Sequence, residues 1–499
     1  MNKDTALWRI LLIILVQCLW ILTAEARLGE QVYETTLTNG MKVILLENHK
    51  APLVTFQVWY RVGSRNESWG KTGLSHMLEH MMYKGTEKVG PEEFSRILQA
   101  NGGDDNAFTT QDYTSFFVNI SADRIQIPID LEADRMQNLT LKEEDFRTEH
   151  MVIMEERRLT TEDDPRTYVS EQMEAAAFQI SPYHWPVIGW KEDIESFTLD
   201  EVKAHHRLFY HPANAFLVVA GDFKKDEILP KIEKAFGSIP KSSTPDQRRN
   251  AEKSQTGERR IIVKREAELP YLLIAYHVPN LTDQDSYVLD VIAALLSQGK
   301  SSRLYQNLVW KKKLVLDADA ENSLLSKDSN LFYVSAELAP GKEIGEVEHA
   351  LYDEIQLLQK EPVEIRELEK VKNQIEAAFI FAQDSIFYQA MLLGQYEIIT
   401  GWRTIDDYLP SIQKVTPEDI QRVAKKYLTE DNRTVGILIP LPLREREPGQ
   451  PESHERSVGN EVPLRPEGFR DDLSNISPPS RGGDEGEGVG NNHYKTPPP

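Results

Sequence analysis

Cysteine is nearly missing from this chain of 499 residues: there is one, Cys18. A single thiol can form no intramolecular disulfide and no thiolate metal cluster. Positive charge is also short, with 57 Lys+Arg against 79 Asp+Glu and a formal net charge of −22. That balance excludes the basic surface needed to displace counterions from phosphates, so no nucleic-acid partner is expected. After residue 26 there are no long apolar runs, and no later segment reads as membrane-spanning. What remains is ordinary globular material, 40% apolar and 27% charged, long enough for two or three domains.

Residues 1–26 read as a signal peptide. Lys3 and Arg9 give a basic start, residues 10–22 an apolar run, and Ala24-Glu25-Ala26 a cleavage site. The run falls short of the ~20 apolar residues of a span, which favours cleavage over an uncleaved anchor. Export to the periplasm is the expectation, with secretion or signal anchoring as alternatives. Cleavage also removes Cys18, and a cysteine-free chain suits an oxidising compartment. At the other end, residues 444–499 are rich in Pro, Gly and charge with almost no apolar period, the composition of a disordered tail.

The body between these ends repeats itself. FTLDEVKAHHRLFYHPANAFLVVAGD, from Phe197, aligns without gaps on VTPEDIQRVAKKYLTEDNRTVGILIP, from Val415. Thr198 then falls on Thr416, Val202 on Ile420, Phe209 on Tyr427 and Asn214 on Asn432; the offset, 416 − 198, is 218. Both copies open with a Thr-x-x-acid capping signature, continue as an amphipathic helix and enter an apolar strand. A weaker match sets Gly85, after MMYK, on Gly299, after LLSQ, an offset of 299 − 85 = 214. The competing explanation is that unrelated helix–strand units look alike. The repeat predicts two homologous domains, 28–240 and 259–442, joined by a polar linker at 241–258. Asn39-Gly40 marks a hairpin between strands at 33–37 and 41–46; a strand at 53–62 and a helix around 72–83 follow. Without regular βαβ alternation, the fold class is α+β.

Within that helix lies the sharpest pattern, His76-Met77-Leu78-Glu79-His80. Residues four apart share one helix face, so both imidazoles can grip one Zn²⁺ with Glu79 on the same side. Glu79 is then placed as general base toward a metal-activated water that attacks a peptide carbonyl, and as proton donor to the leaving amine. A hydrolytic zinc needs a third protein ligand. The segment EHMVIMEERR, from Glu149, carries Glu149 and Glu156 seven apart, two helical turns, while Glu155 points elsewhere. His150, His184, His205, His206 and His211 have no comparable ligand spacing and read as solvated or satisfied core residues.

Taken together, these motifs resemble the pitrilysin-type inverzincins, which carry H-x-x-E-H. The closest likeness is to the half-length branch that contains mitochondrial processing peptidases and their bacterial relatives. The resemblance runs through GWKEDI, YHPANAFLVVAGD and the two-half layout, and omits both ends. It implies His76, His80 and Glu156 as ligands of one zinc per chain, Glu79 as general base and Glu149 as a further catalytic-site glutamate. It also implies two domains of the LuxS/MPP-like metallohydrolase fold, each a mixed, mostly antiparallel sheet packed with helices. The activity implied is cleavage of peptides or unfolded segments in a closed chamber formed by two such chains. The stretch GGDDNAFTT, from Gly102, resembles the family's edge strand, making Asn106, Ala107 and Phe108 substrate-binding residues through main-chain hydrogen bonds. From the residues alone, an ordinary Gly-initiated strand reads equally well.

The second half departs from the pattern. On the Gly85–Gly299 match, His76, Glu79 and His80 fall on Asp290, Ala293 and Ala294, which cannot hold zinc in the same way. Catalytic relatives carry an Arg and a Tyr in L-R-x-K-x-x-L-x-Y; here Val309 and Leu316 stand in those places and can donate no hydrogen bond to a developing oxyanion. The expectation is a heterodimer with a homologous zinc-free subunit that supplies the Arg/Tyr pair, with a homodimer as the alternative. Arg303 and Tyr305 are nearby at the wrong spacing, and Arg303 is expected on the surface. Two other readings remain open: a non-catalytic assembly subunit like the respiratory core proteins, and a zinc enzyme acting on other bonds.

Overall fold

The computed structural model describes residues 28–243 and 251–442. The export segment with Cys18, the tail at 444–499 and the middle of the expected linker lie outside the described residues. The first half runs β1 (Val32–Thr36), β2 (Lys42–Glu47), β3 (Leu53–Tyr60), α1 (Leu74–Met81), α2 (Glu93–Ala100), β4 (Asp104–Thr109), β5 (Thr114–Ser121) and α3 (Gln126–Asn138). It continues through α4 (Glu143–Arg157), α5 (Pro165–Ala177), α6 (Lys191–Ser196), α7 (Leu199–Phe209), β6 (Ala215–Gly221) and α8 (Lys225–Phe236). The second half runs β7 (Arg259–Glu266), β8 (Tyr271–Val278), α9 (Asp285–Ser297), β9 (Val315–Asn322), β10 (Asn330–Leu338) and α10 (Ile344–Lys360). It closes with α11 (Ile365–Ala382), α12 (Ile386–Ile399), α13 (Tyr408–Lys414), α14 (Pro417–Tyr427) and β11 (Arg433–Leu441).

The strands form two sheets, ordered β1-β2-β6-β3-β5-β4 and β7-β11-β8-β10-β9. Leaving β1 aside, the orders match strand for strand. Each sheet has one parallel pair, β2/β6 and β7/β11, and is otherwise antiparallel. The fold is therefore α+β with two homologous domains. Local chemistry repeats too: Thr198 and Thr416 both cap their helices in reciprocal boxes, with Glu201 and Asp419 as partners. The expected hairpin forms at Asn39-Gly40, where Gly40 takes φ +92. Asn39 Nδ2 donates to the carbonyls of Phe236 and Ile239 at 2.8 and 3.1 Å, tying the turn to the end of α8.

The halves exchange helices. α5 of the first half lies on β7, β8 and β11, while α12 of the second half lies on β3 and β6. Ile44, Leu46, Trp59, Phe216 and Val218 consequently share one apolar core with Ile274, Leu392 and Leu393. Gly394, midway along α12, permits this closeness: a Cβ there would stand 2.2 Å from the Trp59 indole. Polar groups also cross the boundary. Arg65 reaches Asp112 at 3.2 Å and also pairs with Asp328 of the second half, and Arg61 Nη2 meets Glu397 at 2.7 Å. Part of the linker is anchored as well, since the Glu252 carboxylate accepts the backbone N–H groups of Gln179, Ile180 and Ser181. No helix among the described residues is long and apolar enough to cross a membrane.

Candidate metal centre

α1 starts at Gly73, where glycine is required twice over. Its φ is +96, and a Cβ would fall 2.4 Å from the Ile188 carbonyl oxygen. Glycine brings no capping side chain, and Glu67 from the preceding loop takes that role. Its Oε2 accepts the Gly73 N–H and its Oε1 the Ser75 N–H, each at 2.7 Å. Burial pushes the Glu67 carboxyl up to about 8 despite those bonds. Leu74, Met77, Leu78 and Met81 bury one face of α1. Ser75 Oγ meets His205 Nε2 of α7 at 3.0 Å. These contacts fix both the axial position and the rotation of the helix, and with them His76, Glu79 and His80.

α4 brings the third group. Glu143, Glu144 and Asp145 in its first turn complement the helix dipole, and Phe146, Glu149, Ile153 and Arg157 form its buried face. Arg157 anchors the far end, donating to Glu171 Oε2 at 2.9 Å and to the Gly189 carbonyl at 2.7 Å. A five-residue π-helical turn, Arg158–Glu162, follows immediately. Glu155 points outward to Arg158 at 2.6 Å, as the helical angle requires. Glu156 thus sits on the face toward α1.

There the Glu156 carboxylate lies 3.6 Å from His76 Nε2 through Oε1 and 3.3 Å from His80 Nε2 through Oε2. The three ligand atoms lie within 4.8 Å of one another, and they form the one such group found among the described residues. Ligand atoms of a tetrahedral zinc with bonds of about 2.0–2.2 Å stand about 3.3–3.6 Å apart. The two imidazole–carboxylate separations match that spacing, and two imidazoles with one carboxylate suit that ion in donor chemistry. Charge agrees. Burial alone would lower the His80 pKa, but the Glu149 and Glu156 hydrogen bonds and the charges of Glu156 and Glu79 carry it up to about 9. The cleft favours a positive charge at that spot.

Glu149 stands behind the His80 ring. Its Oε2 is 2.9 Å from His80 Nδ1 and its Oε1 2.6 Å from Lys84 Nζ. Burial would raise its pKa, yet the bonds and charges of His80 and Lys84 hold it below the ordinary carboxylate range. With Nδ1 engaged in this way, Nε2 is presented to Glu156, the arrangement by which outer carboxylates orient ligand histidines. Glu79, 2% exposed, accepts a hydrogen bond on Oε2 from Thr109 Oγ1 at 2.8 Å. Sequence reasoning missed Thr109, because no local spacing links it to a residue 30 positions earlier.

Thr109 ends β4, which lies at the sheet edge beside β5. Asn106, Ala107 and Phe108 face Phe117, Phe116 and Ser115 of β5 across the ladder. Phe108 packs its ring on Trp59, Tyr113 and Phe117, and Asn106 Oδ1 accepts the Ala107 N–H at 2.9 Å. The segment is therefore an edge strand that ends at Glu79.

In the second half α9 carries Asp290, Ala293 and Ala294. Asp290 accepts from Asn322 Nδ2 at 2.7 Å and Tyr408 O–H at 3.0 Å, and burial lifts it to about 6. Val309 belongs to a π-helical turn, Tyr305–Lys311, and Leu316 stands half-exposed near the start of β9. Arg303 corrects the expectation of a surface residue. It is partly buried against α11, where its guanidinium meets both Glu367 oxygens at 3.0 and 2.7 Å and so has its charge compensated. His150 and His184 bond the carbonyls of Ile194 and Phe178.

Fold and site define a two-domain protein with an H-x-x-E-H motif and a candidate metal centre on its first domain. Known sequences and structures agree. The family described as "Insulinase (Peptidase family M16)" matches residues 42–190, and its partner description, "Peptidase M16 inactive domain", matches 196–375. The zinc protease PqqE of Helicobacter pylori is 32% identical over 84% of this chain and 96% of its own. An uncharacterized zinc protease of Streptomyces coelicolor is 26% identical over 83% of this chain and 91% of its own. Among solved structures, a protease from Helicobacter pylori matches with a TM-score of 0.79 at 32% identity, covering 82% of this chain and 99% of its own. An M16-like peptidase from Alicyclobacillus acidocaldarius matches in fold with a TM-score of 0.70 at 20% identity, over 82% of this chain and 98% of its own. The chain belongs to the insulinase family, peptidase family M16.

Proposed function

We propose that this protein is an exported zinc endopeptidase that holds one zinc per chain and hydrolyses peptides or unfolded segments. The observation that carries the reading is the convergence of His76, His80 and Glu156 from two helices beside a buried Glu79. A zinc ion held by those three side chains supplies Lewis acidity to a water and to the scissile carbonyl. Glu79 takes the proton of the attacking water and passes it to the leaving amine, so the site ends the cycle in its starting protonation. Glu149 keeps the His80 ring oriented. The open edge of β4 at Asn106, Ala107 and Phe108 holds an extended peptide by main-chain hydrogen bonds, which tolerates many sequences.

Val309 and Leu316 carry no donor, which favours a homologous zinc-free subunit that contributes an Arg and a Tyr to close the chamber, and otherwise a homodimer. The signal-like first 26 residues support export, to the periplasm first, with secretion or signal anchoring as the alternatives. Metal analysis and peptide cleavage with and without chelator test the reading. Stoichiometric zinc with chelator-sensitive turnover is expected, and Glu79→Gln should retain the metal while losing about 10²- to 10⁴-fold in kcat. A chain that binds no zinc would instead be a non-catalytic assembly subunit.

A further inference from the structure

We infer that Thr109 is the positioning residue for Glu79, fixing the rotation of its carboxylate from the edge strand; the inference rests on the peptidase reading above. Thr109 Oγ1 stands 2.8 Å from Glu79 Oε2 and 3.4 Å from Thr114 Oγ1. Counting protons settles which way each hydroxyl points. Thr114 donates to the Val62 carbonyl at 2.9 Å, and Tyr210 O–H donates to Thr114 at 3.3 Å. The Thr114 proton is therefore committed elsewhere and Thr114 can only accept from Thr109; of the two acceptors, the Glu79 carboxylate at 2.8 Å takes the Thr109 proton over Thr114 Oγ1 at 3.4 Å.

The carboxylate needs such a restraint. A terminal sp³–sp² torsion is broad and roughly two-fold, so a Glu side chain does not orient itself. One charge-assisted hydrogen bond to Oε2 sets the plane of the group, and with it the position of Oε1. Thr109 and Thr114 form the last paired position of the β4/β5 ladder, so the donor rides on hydrogen-bonded strand backbone rather than a loop. The same strand carries Asn106, Ala107 and Phe108. Base and substrate track are thus set by one element, and a peptide laid along β4 meets Glu79 in a fixed register.

The test compares Thr109→Val, which keeps shape and loses the hydroxyl, with Thr109→Ser, which keeps the hydroxyl. Thr109→Val should retain zinc and hold KM within about twofold, while kcat falls on the order of 10- to 100-fold, the scale of a misplaced catalytic group. Thr109→Ser should recover most of the rate. An unchanged kcat in Thr109→Val, or a Ser variant as slow as the Val variant, overturns the assignment. The crystal structure of the zinc-loaded Val variant reads the same point without turnover. A Glu79 carboxylate turned away from β4 supports the inference, and an unmoved one overturns it even should the wild-type chain cleave no peptide.

Discussion

At the scale of single residues, the site is layered: His76, His80 and Glu156 converge, the Glu79 carboxylate lies beside them, and Glu149 and Thr109 stand behind His80 and Glu79. His76, Glu79 and His80 could be grouped from the sequence because helical periodicity alone places them together. Glu156 joins them through the family resemblance, the seven-residue spacing from Glu149 showing only that the two glutamates share a helix face. Their division of labour is likewise implied by the resemblance alone, because periodicity does not say how α4 is rotated against α1. Glu149 meets His80 Nδ1 and Lys84, so Glu149→Ala should weaken zinc binding about 10- to 100-fold while leaving the fold intact. Competition with a chelating dye measures this, and unaltered affinity would remove the orienting role. Glu67 and Thr109 were illegible because each acts across a loop or strand on a helix it does not belong to.

Among elements, α1 is the one whose placement matters most, and it is held by polar contacts at its start and by α7 along its side. His205 of α7 is buried against Ser75, and burial with the nearby His206 depresses it from 6.5 to about 3. The folded chain therefore leaves His205 neutral where the unfolded chain binds a proton. That contribution is complete above pH 6.5 and drains away as pH falls toward 3. Denaturant midpoints should thus drop between pH 7 and 5, and His205→Asn should flatten the slope by up to one proton in that window. An identical slope in the variant would assign the acid sensitivity to other groups. The strands and helices of the repeat were legible as elements, their ends less so: the helix expected around 72–83 occupies Leu74–Met81, because Gly73 and Glu67 set its start.

For the molecule as a whole, the exchanged helices decide how the halves hold together. α5 and α12 each cover the other half's sheet, so Trp59 and Phe216 are buried by a helix from beyond the linker. Enlarging Gly394 tests this directly, since its missing Cβ makes room for Trp59. Gly394→Leu should cost about 1–3 kcal/mol by overpacking, read as a lower denaturation midpoint. Because α12 also backs β3 and β6, the variant should loosen the first sheet as well, visible as faster amide exchange there. Confinement of the change to the second half would argue that the shared core is energetically divided.

By itself, the sequence determined what short-range geometry can carry: α+β elements, the offset of 218 that marks a duplication, and the stripe of His76, Glu79 and His80 on one helix. Backbone periodicity and capping chemistry act over a few residues, so they are written in order along the chain. Which glutamate faces His76 and which stands behind His80, the hydroxyl of Thr109 on Glu79, and the reciprocal packing of α5 and α12 were decided by the tertiary structure. Those contacts join residues tens to hundreds of positions apart, and burial selects them when the sheets and helices close on a common core.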